Sequence, residues 1–173
     1  MIRLATKQDL NEVECIFHEI LDKEAATVSY SNWIKGKYPT KAHAELALNQ
    51  GTLYVGEDEN GRLFGFANLN HIQLDEYVKI PWIYEAEGEE VFVIHMLCIR
   101  PDCAGQGRGK EFVAFAEELA REKGCKVVRI DTYEGNTPAA NLYQSLGYRL
   151  AGKTLFHFQN VIWENLICLE KKL

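Results

Sequence analysis

The sequence has no basic excess: 19 lysines and arginines stand against 25 aspartates and glutamates, a net charge of −6. A nucleic-acid binder needs a cationic face to meet phosphates, so no nucleic-acid partner is expected. No stretch approaches the roughly 20 apolar residues that cross a bilayer, so no membrane association is expected either. No basic segment followed by an apolar run marks a secretory leader. The five cysteines, Cys15, Cys98, Cys103, Cys125 and Cys168, form no C-x-x-C pair. An odd, scattered set suits neither a disulfide framework nor a zinc site. Histidines 18, 43, 71, 95 and 157 lack ligand spacing, so no metal is expected. Internal repeats, low-complexity tracts and linkers are missing too. What remains is a chain of 173 residues, 47% hydrophobic and 25% charged, of a size for one domain spanning 1–173 with a full core. Reduced thiols in a cytoplasmic protein are the expectation.

The pattern reads as a single mixed α/β domain in the order β-α-α-β-β-β-α-β-α-β-β. Ile2 to Ala5 is a short strand, and Thr6 with Asp9 makes a near variant of the capping box. Leu10, Val13, Ile16, Phe17, Ile20 and Leu21 follow at helical spacing. The period fails from Ala25 to Thr40, and a second helix runs from Lys41 to Gln50, stopped by Gly51. Strands from Thr52 to Asp58 and Arg62 to His71 flank Asn60-Gly61, a hairpin dipeptide. Leu74 to Glu90 is an unusually long, acidic and aromatic connection. Val91 to Ile99 is an apolar, β-branched run, the sign of a strand buried on both faces. A helix through Phe112, Phe115 and Leu119 ends at Gly124, and Lys126 to Tyr133 is a strand. Thr137 caps a short helix with Pro138 at its first position and Gly147 just past its end. Strands near Tyr148 to Phe158 and Val161 to Leu169 turn at Gln159-Asn160.

The informative unit is the buried strand, then Gly105-Gln106-Gly107-Arg108-Gly109-Lys110, then a helix. Glycines let backbone N–H groups approach an anion, and the helix N-terminus adds unpaired donors and the positive end of its dipole. Together they form a cradle for a phosphate or pyrophosphate, to which Arg108 and Lys110 add charge. A turn serving only tight geometry is the plainer alternative. A Walker A loop is excluded, because Ala104 stands at its first glycine and Glu111 at its Mg²⁺-binding hydroxyl. The dinucleotide pattern G-x-G-x-x-G fails as well, with Lys110 or Phe112 at the third glycine. No G-x-S-x-G elbow for a hydrolase is present.

The stretch from Val91 to Gly152 resembles the GNAT superfamily of acetyl-CoA-dependent N-acetyltransferases. The residues that carry the resemblance are Leu97-Cys98-Ile99-Arg100-Pro101, the turn Ala104 to Gly109, Ile130-Asp131-Thr132-Tyr133, Asn136, and Asn141 to Tyr148. Ala104 departs from the Gln or Arg that opens the family's pyrophosphate loop, which removes one side-chain contact. The resemblance implies an α/β fold (an α+β mixed sheet), with a central, mostly antiparallel sheet, a splayed strand and flanking helices. It implies acetyl-CoA as co-substrate. Main-chain groups of Leu97, Cys98 and Ile99 would meet the pantetheine arm, and Gly105, Gln106, Gly107, Arg108, Gly109 and Lys110 would bind the pyrophosphate. Asn136 would hydrogen-bond the pantetheine region, and Tyr143 would stand near the cofactor sulfur.

Acyl transfer to an amine needs a base for the amine proton and an acid for the departing thiolate. Backbone N–H groups on the buried strand would polarise the thioester carbonyl. Tyr143 is the candidate acid, with plain aromatic packing as its alternative. His95, two residues before Leu97, and Asp131, on the next strand, compete as base. An unperturbed imidazole titrates near neutrality, whereas an aspartate needs its pKa raised by burial. A structural histidine, a loop-fixing aspartate and a water chain stay open. Tyr30, Trp33, Tyr38, Trp82 and Tyr84 stand in the two irregular segments, as acceptor-pocket walls or as packing. Asp75, Glu76, Glu85, Glu87, Glu89 and Glu90 would suit a cationic amine, or form a solvated loop. The expected partner is therefore a small-molecule or peptide amine, and the sequence leaves room for a homodimer. The alternative from another class is a non-catalytic acyl-CoA-binding sensor or interaction module.

Overall fold

The structure, a computed structural model, describes residues 1–158 and 161–173. Among the described residues are strands β1 (Ile2–Leu4), β2 (Leu53–Glu57), β3 (Leu63–Asn70), β4 (Val91–Ile99), β5 (Val127–Tyr133), β6 (Arg149–Phe158) and β7 (Ile162–Lys172). The helices are α1 (Leu10–Ala26), α2 (Lys41–Asn49), α3 (Arg108–Glu122) and α4 (Thr137–Ser145). The sheet has the order β1-β2-β3-β4-β5-β7-β6. Its β1–β2, β2–β3, β5–β7 and β6–β7 pairs are antiparallel, and β4–β5 is parallel. The mixed, mostly antiparallel sheet with flanking helices is thus present as the resemblance implied. The turn expected at Gln159-Asn160 lies outside the described residues.

The chain groups into two compact units. The first comprises Met1–Ser29, Trp33–Leu69 and His95–Phe115, and the second Tyr30–Asn32, Asn70–Ile94 and Ala116–Leu173. In the first, the periodic residues Leu10, Val13, Ile16 and Phe17 of α1 pack on Leu53, Val55, Leu63 and Phe66, together with Cys98. The Phe17 and Phe66 rings meet edge to face at 4.8 Å, a geometry that aromatic quadrupoles favour. Entry to α1 is fixed by Asp9, which accepts from Thr6 N at 2.7 Å and pairs with Arg3 at 2.9 Å. At the β2–β3 hairpin only Gly61 of Asn60-Gly61 takes a positive φ, 81°, and the Asp58 carboxylate ties the turn through Asn60 N and Arg62 N.

In the second unit Val91, Val93, Phe156, Leu166 and Cys168 form a core on one sheet face. The long connection supplies its cover. Tyr77, inside a 3-10 turn over Asp75–Lys79, is 3% exposed and Ile80 is 5% exposed. Trp82 lies edge-on to Tyr77 at 5.2 Å and donates Nε1 to the Tyr77 carbonyl at 2.9 Å. Apolar burial therefore orders a segment whose polarity reads as loop. At α4 the cap is Asn136, whose Oδ1 accepts from Ala139 N at 3.2 Å, which moves Thr137 inside the helix and corrects the expected cap by one residue. Both residue types cap helices, and Asn is at least as effective.

Candidate active site

The first unit carries the strand-turn-helix element. The pairing of β4 with β5 runs from Val91↔Val127 to Ile94↔Ile130. Two residues further on, Met96 has φ 48°. A left-handed non-glycine residue inside a strand costs about 1–2 kcal/mol, and such strain collects at functional positions. The kink lies between His95 and Leu97, and both are half-buried. Beyond it Gly65 of β3 lies so close that a Cβ there would stand 2.4 Å from the Cys98 carbonyl oxygen. Cys98 itself is 3% exposed, and burial drives its thiol far above the usual range, which leaves it no nucleophilic thiolate.

The strand end is held by Arg100, which is 5% exposed. Its N donates to Phe64 O and its Nε to Leu63 O, each at 2.8 Å. The guanidinium pairs with Glu12 at 2.8 Å and with Glu19 of α1. After the turn at Pro101–Cys103, Gly105 and Gly107 take φ of 76° and 82°, the left-handed conformations that glycine reaches without strain. Glu111 N then donates to Gly107 O at 3.0 Å. The N–H groups of Arg108, Gly109 and Lys110 therefore precede the helical bonding of α3 and point from its positive end. The side chains are engaged locally: Gln106 Nε2 donates to Asp102 O at 2.9 Å, and Arg108 pairs with Glu111 at 2.8 Å and lies 4.4 Å over the Phe64 ring. An anion at this turn would therefore meet main-chain N–H groups before side chains.

The second unit carries Asp131, Asn136 and Tyr143. Asp131, half-buried near the end of β5, accepts from the Tyr77 hydroxyl at 2.7 Å. Burial pushes its carboxyl up to about 6, the Tyr77 hydrogen bond pulls the other way, and the Glu76 charge adds to the rise. Tyr143 is 4% exposed, its ring 6.0 Å from that of Tyr148, so it is a core residue of α4 as well as the candidate acid. Asn136 spends its carbonyl on the α4 cap and keeps an amide donor.

The structure therefore groups His95, Leu97, Cys98, Ile99 and Gly105 to Lys110 in the first unit, and Asp131, Asn136 and Tyr143 in the second. Trp33 and Tyr38 stack edge to face with each other, and Trp33 with Phe17, and Trp82 carries Arg129 over its ring at 4.3 Å, so these aromatics pack. Two residues were not singled out in the sequence: Tyr77, and Glu164 of β7. Glu164 is 5% exposed and accepts from Asn32 Nδ2 at 3.3 Å. Burial pushes it up to about 7, and the Asp131 charge contributes to the rise. A glutamate at a buried parity position between Ile162 and Leu166 was the available signal.

The model of the acetyltransferase (GNAT) family matches residues 16–148. N-acetyltransferase 8B of Homo sapiens is 26% identical over 140 residues, 79% of this chain and 60% of that protein. Aminoalkylphosphonate N-acetyltransferase of Salmonella typhimurium is 26% identical, covering 86% of this chain and 84% of that one. The chain spans about three-fifths of the length of the first curated relatives it matches, 60% and 59%. Among solved structures, a GNAT-family acetyltransferase from Streptococcus agalactiae superposes with a TM-score of 0.83 at 21% identity, over 100% of this chain and 95% of that chain. The Salmonella typhimurium protein yncA, solved with its cofactor acetyl-CoA, has a TM-score of 0.70 at 17% identity, over 100% and 93%. At these identities the structural likeness speaks for the fold.

Proposed function

The chain belongs to the GNAT acetyltransferase family, and from that premise we propose that it moves the acetyl group of acetyl-CoA onto a primary amine of a small molecule or peptide, by direct attack. The observation that carries the proposal is the kinked β4 running into the Gly105 and Gly107 turn and the open N-terminus of α3. Gly105 to Lys110 bind the pyrophosphate through main-chain N–H groups. The main chain of Leu97, Cys98 and Ile99 aligns the pantetheine arm and polarises the thioester carbonyl. The amide donor of Asn136 serves a pantetheine carbonyl.

In the chemical step the amine nitrogen forms the C–N bond, the C–S bond breaks, and the thiolate takes a proton from the Tyr143 hydroxyl. The proton lost by the amine goes to Asp131. A carboxylate raised to about 6 is a competent base near neutral pH. His95 is the other candidate, and pH–rate profiles of Asp131→Asn and His95→Ala tell which removal abolishes the acid limb. The unpaired thiols support a reduced, cytoplasmic setting. The test of the reading is thiol release from acetyl-CoA across a panel of amines, with Tyr143→Phe beside the wild type. We expect release that depends on amine and a kcat lowered about 10²- to 10³-fold in the variant, in line with general acid catalysis. Undiminished turnover in Tyr143→Phe would remove the acid role.

A further inference from the structure

A buried guanidinium normally rests on a carboxylate, because the water that solvated its charge has to be replaced. Arg129 of β5 is 5% exposed, yet it makes no ion pair among the described residues. The carboxylate opposite it in register, Glu170, accepts instead from Arg149 at 2.7 Å and from Ile83 N at 3.0 Å. Arg129 engages neutral groups of the long connection. Its Nη1 donates to the Gln73 side-chain oxygen and its Nη2 to the Tyr84 carbonyl at 3.2 Å, while its guanidinium lies 4.3 Å over the Trp82 ring. Burial lowers its pKa from the ordinary arginine value, against the pull of the Glu170 and Tyr77 charges, so this placement works against stability.

One side chain thus grips the connection on both sides of Tyr77: Gln73 precedes that residue, and Trp82 and Tyr84 follow it. Trp82 closes the grip, donating Nε1 to the Tyr77 carbonyl at 2.9 Å and meeting the Tyr77 ring edge-on at 5.2 Å. At the far end of that ring the hydroxyl donates to Asp131 at 2.7 Å. Arg129 and Asp131 stand on the same face of β5, opposite Glu170 and Cys168. The hydrogen bond weakens steeply with misalignment, so its strength depends on how firmly the Tyr77 backbone and ring are held.

We propose that Arg129 is a positioning residue for the proton acceptor of the reaction: by pinning Gln73, Trp82 and Tyr84 it aims the Tyr77 hydroxyl at Asp131. It acts through Tyr77 and not on the substrate. The inference deepens the acetyl-transfer reading and rests on Asp131 as its base. The other ionisable groups around Asp131 are Glu76 and Tyr77 of the connection and Glu164 and Cys168 of β7. Around Arg129 they are Tyr77 and Glu170, the latter with its partner Arg149. Tyr77 is common to both sets, and is the link the experiment breaks.

The Asp131 carboxyl carbon, isotopically labelled and assigned by its loss in Asp131→Asn, is titrated by NMR in the wild type, Arg129→Met, Tyr77→Phe and the double variant. Methionine keeps much of the arginine stem and loses the fork of donors. Asp131 is expected to titrate about half to one unit higher in Arg129→Met, and no higher in the double variant than in Tyr77→Phe alone. The acid limb of kcat/KM for thiol release is expected to move in the same order. Arg129→Lys keeps the charge without the fork, and should shift Asp131 in the same direction by less; it is the variant to read if Arg129→Met does not fold. An Arg129→Met shift that recurs in full on the Tyr77→Phe background shows a bare charge effect and overturns the inference. So does an Asp131 titration that stays in place in a folded Arg129 variant, which leaves Arg129 a fastener of the connection alone. A carbon that titrates higher while the limb of kcat/KM stays put overturns the base assignment and the inference with it, and is thereby distinguishable from a failure of Arg129 alone.

Discussion

Replacing Tyr77 by Phe removes one hydroxyl and leaves a ring that is 3% exposed and packed on Trp82 and Phe156. The lost contact is the 2.7 Å hydrogen bond that stabilises the ionised form of Asp131. Hydrogen bonds to charged groups are worth about 1.5–3 kcal/mol, and one pH unit of pKa corresponds to about 1.4 kcal/mol. Asp131 already sits at about 6. Without its donor the carboxylate should titrate about one to two units higher. If Asp131 takes the amine proton, the acid limb of kcat/KM moves up by that amount, so that activity at pH 6 falls about ten-fold or more while activity at pH 9 is nearly kept. The assay is a pH–rate profile of thiol release at saturating acetyl-CoA, with the thermal midpoint of the variant measured at each pH. A limb that stays in place in a folded Tyr77→Phe protein refutes the assignment of Asp131 as base and leaves His95 as the candidate.

Glu164→Gln should stabilise the fold at alkaline pH. Carrying the carboxyl from 4.5 to about 7 corresponds to roughly 3 kcal/mol against the ionised, buried form. The folded pKa is the higher one, so wild-type stability is full below pH 4.5 and falls as pH rises toward 7. Urea unfolding at pH 5 and pH 8 should show the variant gaining on the wild type between the two, and a variant less stable at pH 8 contradicts the unpaired burial of Glu164. Gly107→Ala puts a side chain at φ 82°, at a cost of about 1–2 kcal/mol that distorts the turn. Its KM for acetyl-CoA should rise about ten-fold and its melting temperature fall by about 2–8 °C, measured by steady-state kinetics and calorimetry. Gly65→Ala forces a Cβ to within 2.4 Å of the Cys98 carbonyl. Displacing that carbonyl should lower kcat and stability together, as read by turnover and thermal unfolding.

Long-range order was legible where hydrophobic period and turn chemistry agreed. Val91–Ile99 was placed to the residue, since an apolar, β-branched run closed by a proline leaves little choice. The Gly105 and Gly107 turn was legible because nothing but glycine takes those φ angles cheaply. The kink at Met96 was not, because methionine carries no signal for a left-handed conformation that surrounding packing imposes. Tyr77 was hidden in a segment whose charged residues read as a solvated loop, and it became a buried donor only through docking on Phe156 and Trp82. Glu164 broke the apolar alternation of Ile162, Leu166 and Cys168, a signal visible in one dimension. Its meaning depended on which charges fold beside it, and no local pattern encodes that.

Binding and turnover on one sample test the acetyl-transfer account most directly. Acetyl-CoA is titrated into the protein by calorimetry, and thiol release and the mass of the amine product are then followed as butane-1,4-diamine is added. Saturable binding followed by amine-dependent release and an N-acetylated product is the predicted result. Tight binding without any acetylated amine, across diamines, amino acids and peptide N-termini, contradicts the account and makes the chain an acyl-CoA sensor.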